Sequence, residues 1–271
     1  MKIAGLFFIL LAILSGTAFA AENESVYDRV VKSGVIRCGY GISPPVMVKD
    51  PNSGVMSGLD VEIWNEIGKE LGLKIEWAEE AGWGNFIEGL RTGRYDAFCS
   101  ELWPDPARSK FLSLTDPVLF SFLDAYVRSD DMRFDGHLDK INDPSVKIPA
   151  IEGDVSATLS QNGFSKATLE YLPQTATLSD MFLSILTKKS DVIFIDQAMI
   201  AGLDQNNKGK IRKVENVPHA FTFGSYYGVV AGEYQLRDMI NLALRTMKND
   251  GRLEKLAQKY SESYSVPRKD F

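Results

Sequence analysis

Short apolar runs with strand character alternate with amphipathic helical stretches, and the order β-α-β-α-β is run through twice. In the first pass, residues 35–38 read as a strand. A helix follows, with Val61, Trp64, Ile67 and Leu71 on one face and Gly72 as its stop. Residues 73–77 and 97–99 are the next strands, separated by a short helix marked by Phe86 and Leu90 and ended by Gly93. In the second pass, residues 146–151, 169–172 and 191–196 read as strands, and 211–214 as a last short one. Helices are expected after Asp154 or Ser156, over 178–186 with Met181 and Ile185 on one side, and over 198–203. Such alternation predicts an α/β fold of open sheets covered by helices.

Two apolar stretches, 117–128 and 221–231, flank the second pass and read as extended crossings between two lobes. The tail 236–260 reads as helical, with Leu242, Leu244, Met247, Leu253 and Leu256 as core candidates, and the first lobe is its expected host. The expected organisation is therefore a first lobe of residues 21–120 plus 224–271 and an inserted second lobe of 121–223, joined by two hinge strands. Two such lobes suit hinge closure around a ligand.

Residues 1–20 stand apart from this pattern. Lys2 opens them, Leu6 to Leu14 form a short apolar run, and Ala18-Phe19-Ala20 fits a cleavage site, the marks of a secretory signal peptide. The run is too short to span a bilayer. The mature chain is expected to be exported, and its net charge moves from −6 to −7 as Lys2 is lost. Acids and bases are interspersed with no basic stripe, which speaks against nucleic acid as a partner. Two histidines, His137 and His219, have no further ligand at a metal-site spacing, so no metal and no cofactor are expected. Export permits a disulfide between Cys38 and Cys99. Both nevertheless lie in strand-like apolar segments, where a thiol packs as a small hydrophobe, and the expectation leans to unbridged cysteines.

In open α/β sheets, ligands bind beyond the carboxyl ends of the strands. Residues 41–45, 81–83, 100–108, 151–156 and Asp196 fall there. Arg108, expected near a helix start, can fork two hydrogen bonds onto a carboxylate. Asp196 ends a strand and can hold a cation. Together they suit the two ends of one zwitterion. The plainer readings are a surface arginine and a helix N-cap.

The segments 34–39, 57–64, 83–97, 106–108, 114–117, 191–196 and 247–260 resemble, in order and spacing, the bacterial extracellular solute-binding proteins of family 3, the periplasmic receptors of polar amino-acid ABC transporters. The resemblance covers nearly the whole mature chain. It implies the two-lobed periplasmic-binding-protein fold (type II), each lobe an open α/β sheet. It also implies an amino-acid-like ligand, a transporter permease at the inner membrane as partner, and a monomer without enzymatic activity. On the resemblance, Arg108 binds the ligand α-carboxylate, Asp196 the α-ammonium, and Trp83 a ligand-contacting position. The chain also departs from the family pattern. Trp103 replaces a hydroxyl residue, Glu101 stands where a small or hydroxylic residue is common, and Ser43 stands where an aromatic is common. Gly153, Asp154 and Val155 replace a Gly-Thr-Thr-like loop. Ser100, just beyond the expected strand and beside Glu101, completes the candidate set. Glu101 has two readings, a partner for a cationic ligand group or an internal partner of Arg108. Two other functions fit the fold, a cyclohexadienyl-type dehydratase with Glu101 as acid and a ligand-sensing module.

Overall fold

The computed structural model describes residues 24–203, 207–261 and 264–266; the expected leader, residues 1–20, lies outside them. The first sheet has five strands in the order Lys74–Glu80, Val35–Tyr40, Ala97–Leu102, Tyr226–Val230, Leu112–Leu114. The three earliest in space are parallel, and Tyr226–Val230 enters antiparallel after the chain has left and returned. The helix Leu59–Leu71 buries Leu59, Ile63, Trp64 and Ile67 against this sheet and ends at Gly72, whose φ of 65° is the left-handed cap that glycine tolerates.

The second sheet is built on Phe120–Arg128, which pairs antiparallel with Val192–Asp196, Ile211–Lys213 and Phe221–Gly224. A parallel pair, Lys147–Ile151 with Thr168–Leu172, lies beside it. The two are tied where the Asp191 N–H donates to the Lys147 carbonyl. Leu123, Val127, Ile148 and Phe194 share one core there. The stretch read as an extended crossing is thus largely a central strand, and the crossing itself narrows to residues 115–119 outward and Ser225 on return. The two paths run side by side: Val118 N donates to Ser225 O at 2.8 Å and Ser225 N to Leu119 O at 2.8 Å. A continuous apolar cluster runs from Ile36 and Ile63 through Val118 and Leu119 to Ile193 and Ile195.

The tail differs from one continuous helix. It is Tyr234–Asn249 and Arg252–Tyr260, broken at Gly251 with φ 79°. Leu236, Ile240, Leu244, Met247 and Leu253 are buried, but Leu242 is 64% exposed. Residue 242 lies midway between 240 and 244, on the opposite side of the turn.

The cysteines also depart from expectation. Cys38 and Cys99 are bridged, with Cα atoms 5.5 Å apart. Their strands are immediate neighbours, with Gly39 facing Phe98, which brings the two residues within bridging distance. Both side chains remain fully buried, so the bridge is itself part of the core.

Candidate functional site

The strand Ala97–Leu102 runs three residues further than its apolar core suggested, and this extension places Ser100 and Glu101 on a strand rather than in a loop. Beyond it, Asp105 starts a single 3-10 turn, Pro106–Arg108, by accepting from Ala107 N. The longer helix expected at Arg108 is absent; the arginine ends this one turn. Its guanidinium is buried, with Arg108 8% exposed, and lies over the Phe86 ring at 5.1 Å.

Arg108 ties the two halves of the molecule together. Nη2 donates to the Trp83 carbonyl at 3.2 Å on the first-sheet side. It also donates to the Gly153 carbonyl and, at 3.4 Å, to Asp154 on the second-sheet side. Asp105 lies 3.7 Å from Nε. Glu101 is not among these partners, so the internal Arg108–Glu101 pairing is not formed.

A cavity of about 30 Å3 opens beside this arginine. Ser43, Trp83, Glu101, Trp103, Arg108, Asp154 and Val155 line it, seven of the ten residues singled out from sequence. Leu102, Leu178 and Met199 complete the wall. The other three predicted residues are not part of its lining. Ser100 is turned inward, its hydroxyl exchanging hydrogen bonds with the Gly41 N–H and carbonyl at 3.0 and 2.9 Å. Gly153 contributes its carbonyl to Arg108. Asp196 is 3% exposed and accepts from Ala198 N at 2.7 Å at the start of the helix Gln197–Leu203. Trp83 packs against Gly41 and meets Phe98 edge-on at 5.8 Å, and Trp103 meets Phe223 at 5.6 Å.

Acids gather around Glu101. Asp60, fully buried, accepts the Tyr227 hydroxyl at 2.8 Å and the Glu101 N–H at 3.2 Å. Burial, and then the neighbouring Glu101 charge, raise its carboxyl well above the usual range. Glu101 is pushed up to about 7, by burial foremost and by Asp196, against a lowering hydrogen bond from Ser225. Asp196 is raised to about 6 by burial, against the N–H groups of Ala198 and Met199. Glu101 Oε1, Ser43 Oγ and Tyr264 Oη are buried without a hydrogen-bond partner. Asp60, Tyr227 and Tyr264 escaped the sequence reading. Asp60 alone left a trace there, because it lies four residues before Trp64 and seven before Ile67, on the buried face of its helix.

The chain matches the model of the bacterial extracellular solute-binding proteins, family 3, over residues 36–263. It is 25% identical over 252 residues to the L-cystine-binding protein TcyA of Bacillus subtilis, covering 89% of this chain and 86% of that protein. It is 24% identical over 254 residues to an arginine-binding periplasmic protein of Mannheimia haemolytica, covering 93% and 97%. Among solved structures, the ancestral amino acid-binding protein AncCDT-1, a precursor of cyclohexadienyl dehydratase, superposes with a TM-score of 0.74 at 24% identity, over 87% of this chain and 99% of that one. With its two sheets, paired crossings and cleft between them, this chain belongs to the bacterial extracellular solute-binding proteins of family 3 and has their two-lobed fold.

Proposed function

We propose that this protein is a periplasmic receptor that closes its two lobes on a small amino-acid zwitterion and delivers it to an ABC-transporter permease. The observation that carries the reading is the position of Arg108. Its guanidinium is buried at the boundary of the two sheets and donates to a carbonyl on each side. A ligand carboxylate bound there meets charge-assisted donors and displaces the carbonyls of both lobes. Asp196, from the second sheet, takes the ammonium, a role its position at a strand end and its burial support. Trp83 and Trp103 supply the apolar walls.

The lobes are residues 21–119 with 225–271, and 120–224, one residue from the expected boundary at each crossing. The pairing of Phe120 with Gly224 supports boundaries at these two points. A space of about 30 Å3 holds a water or two, not an amino acid. Admission therefore requires the lobes to part, which supports a hinge at residues 115–119 and Ser225. The similarity to binding proteins supports capture rather than catalysis, an exported location and a permease partner; we take the receptor to act as a monomer.

A thermal-shift screen of amino acids identifies the ligand: at 100 times its Kd it stabilises the fold by about 2.7 kcal/mol. Calorimetry on Arg108→Ala then tests the site. Loss of a charged partner to a bound carboxylate costs about 2–5 kcal/mol, at least thirtyfold in affinity. Binding within twofold of the parent would remove Arg108 from the site.

Glu101, a buried cleft acid near neutrality, favours one other reading, because an acid of that strength suits proton transfer at pH 7. Incubation with arogenate or prephenate decides it. A receptor leaves the absorbance unchanged, while a dehydratase generates an aromatic product.

A further inference from the structure

The cleft holds more carboxyl groups than its own basic residues answer. Arg108 already faces Asp154 at 3.4 Å and Asp105 at 3.7 Å. Glu101 lines the same cavity, is 6% exposed, and leaves Oε1 with no hydrogen-bond partner. Its surroundings add acids: Asp60 lies directly behind its backbone N–H, and Asp196 is close enough to act on its charge. Ser43, 1% exposed and on the same wall, likewise has an unpartnered hydroxyl. Buried polar atoms in a folded protein are nearly always satisfied, and a desolvated carboxylate without a partner is among the costliest exceptions. Two such atoms on residues that line one cavity point to a group brought by the ligand.

A neutral zwitterion does not supply that group. Its carboxylate goes to Arg108 and its ammonium to Asp196, and Glu101 Oε1 stays unanswered while Ser225 serves the carboxyl elsewhere. We propose that Glu101 and Ser43 form a subsite for a second cationic group, so that the ligand is an amino acid whose side chain ends in an ammonium or a guanidinium. This rests on the zwitterion-binding cleft proposed above. The ammonium or guanidinium donates to Glu101 Oε1 and Ser43 Oγ, and Trp83 and Trp103 in the same wall offer ring faces to a cation. An oxygen that accepts from the ligand thereby ends its own isolation, which a neutral side chain of equal length does only as a weaker donor.

The experiment is calorimetry with matched pairs: arginine against citrulline, and lysine against norleucine. The expected result is at least tenfold tighter binding of the charged member of each pair. Glu101→Gln, which keeps the shape and removes the charge, should shrink that preference at least tenfold. Glu101→Asp, which keeps the charge, should retain a preference for the basic member even if Glu101→Gln folds poorly. Equal binding of charged and neutral members overturns the subsite, as does an unchanged ratio in Glu101→Gln or a lost preference in Glu101→Asp. Arg108-dependent binding of neutral amino acids alone defeats this inference and leaves the cleft standing. Failure of every α-amino acid to bind defeats both.

Discussion

Replacing both cysteines by alanine tests how the first sheet is held. The bridge closes a chain segment with a sequence separation of 61 residues. Loop-closure entropy for a loop of that length amounts to about 4 kcal/mol at 25 °C. Removing the sulfurs also thins the packing, since Cys38 and Cys99 are fully buried, and this acts in the same direction. At roughly 2–4 °C per kcal/mol for a chain of this size, Tm should fall by about 8–16 °C. Urea unfolding followed by tryptophan fluorescence gives the free energy independently. Its slope should rise, because an uncrosslinked chain exposes more surface when it unfolds. The same loss should appear in the parent protein once reductant has opened the bridge. A double variant within about 1 kcal/mol of the parent would refute the assignment of stability to this crosslink.

Three further outcomes follow from the site. Asp60, Glu101 and Asp196 have folded-state pKa values above the ordinary range, with Asp196 at about 6 and Glu101 at about 7. The native state therefore binds more protons than the unfolded chain between roughly pH 4 and 7, and stability falls as pH rises through that window. Each two-unit shift amounts to about 3 kcal/mol. Thermal unfolding of the unliganded protein should give a lower Tm at pH 8 than at pH 5, and Glu101→Gln should flatten the upper part of the decline; a rising Tm would contradict the acid cluster. Asp196→Asn should weaken α-amino ligands far more than matched ligands without the amine, whereas equal losses in calorimetry would leave Asp196 as the cap of Gln197–Leu203 alone. Saturating ligand should reduce the radius of gyration in solution scattering, and an unchanged profile would place ligand capture within one lobe.

The strand and helix order was legible because each element carries its own period, two for strands and about 3.6 for helices. The strand that ends at Asp196, and the strand whose following turn carries Arg108, followed from it. What escaped depends on neighbours in space. The bridge requires Val35–Tyr40 to have Lys74–Glu80 on one side and Ala97–Leu102 on the other, an order set by sheet assembly and invisible in the spacing of Cys38 and Cys99. Sheet assembly likewise made Phe120–Arg128 a central antiparallel strand where its composition suggested a crossing. The single turn at Arg108 reflects a local conflict: Pro104 and Pro106 bracket Asp105 and leave room for little more than the cap on Ala107. The exposure of Leu242 was legible too, since its two-residue offset from Ile240 and Leu244 puts it on the opposite helix face.

The rims of the cleft meet through glycines. A Cβ on Gly84 would stand 2.3 Å from the Glu152 carbonyl oxygen and 3.0 Å from Gln174 Cα, and one on Gly82 would stand 2.7 Å from the Gln174 oxygen. On the opposite rim, a Cβ on Gly202 would reach within 3.0 Å of the Pro44 oxygen. Backbone thus rests on backbone, and the depth of the bite is set by hydrogen atoms. A single methyl at Gly84, where no left-handed φ forbids it, becomes a doorstop. The jaws carrying Gly84→Ala would still present Arg108 to a carboxylate while being held ajar, which separates the act of catching from the act of shutting. Such a propped molecule would show how much of the grip on cargo comes from the first touch and how much from the final click.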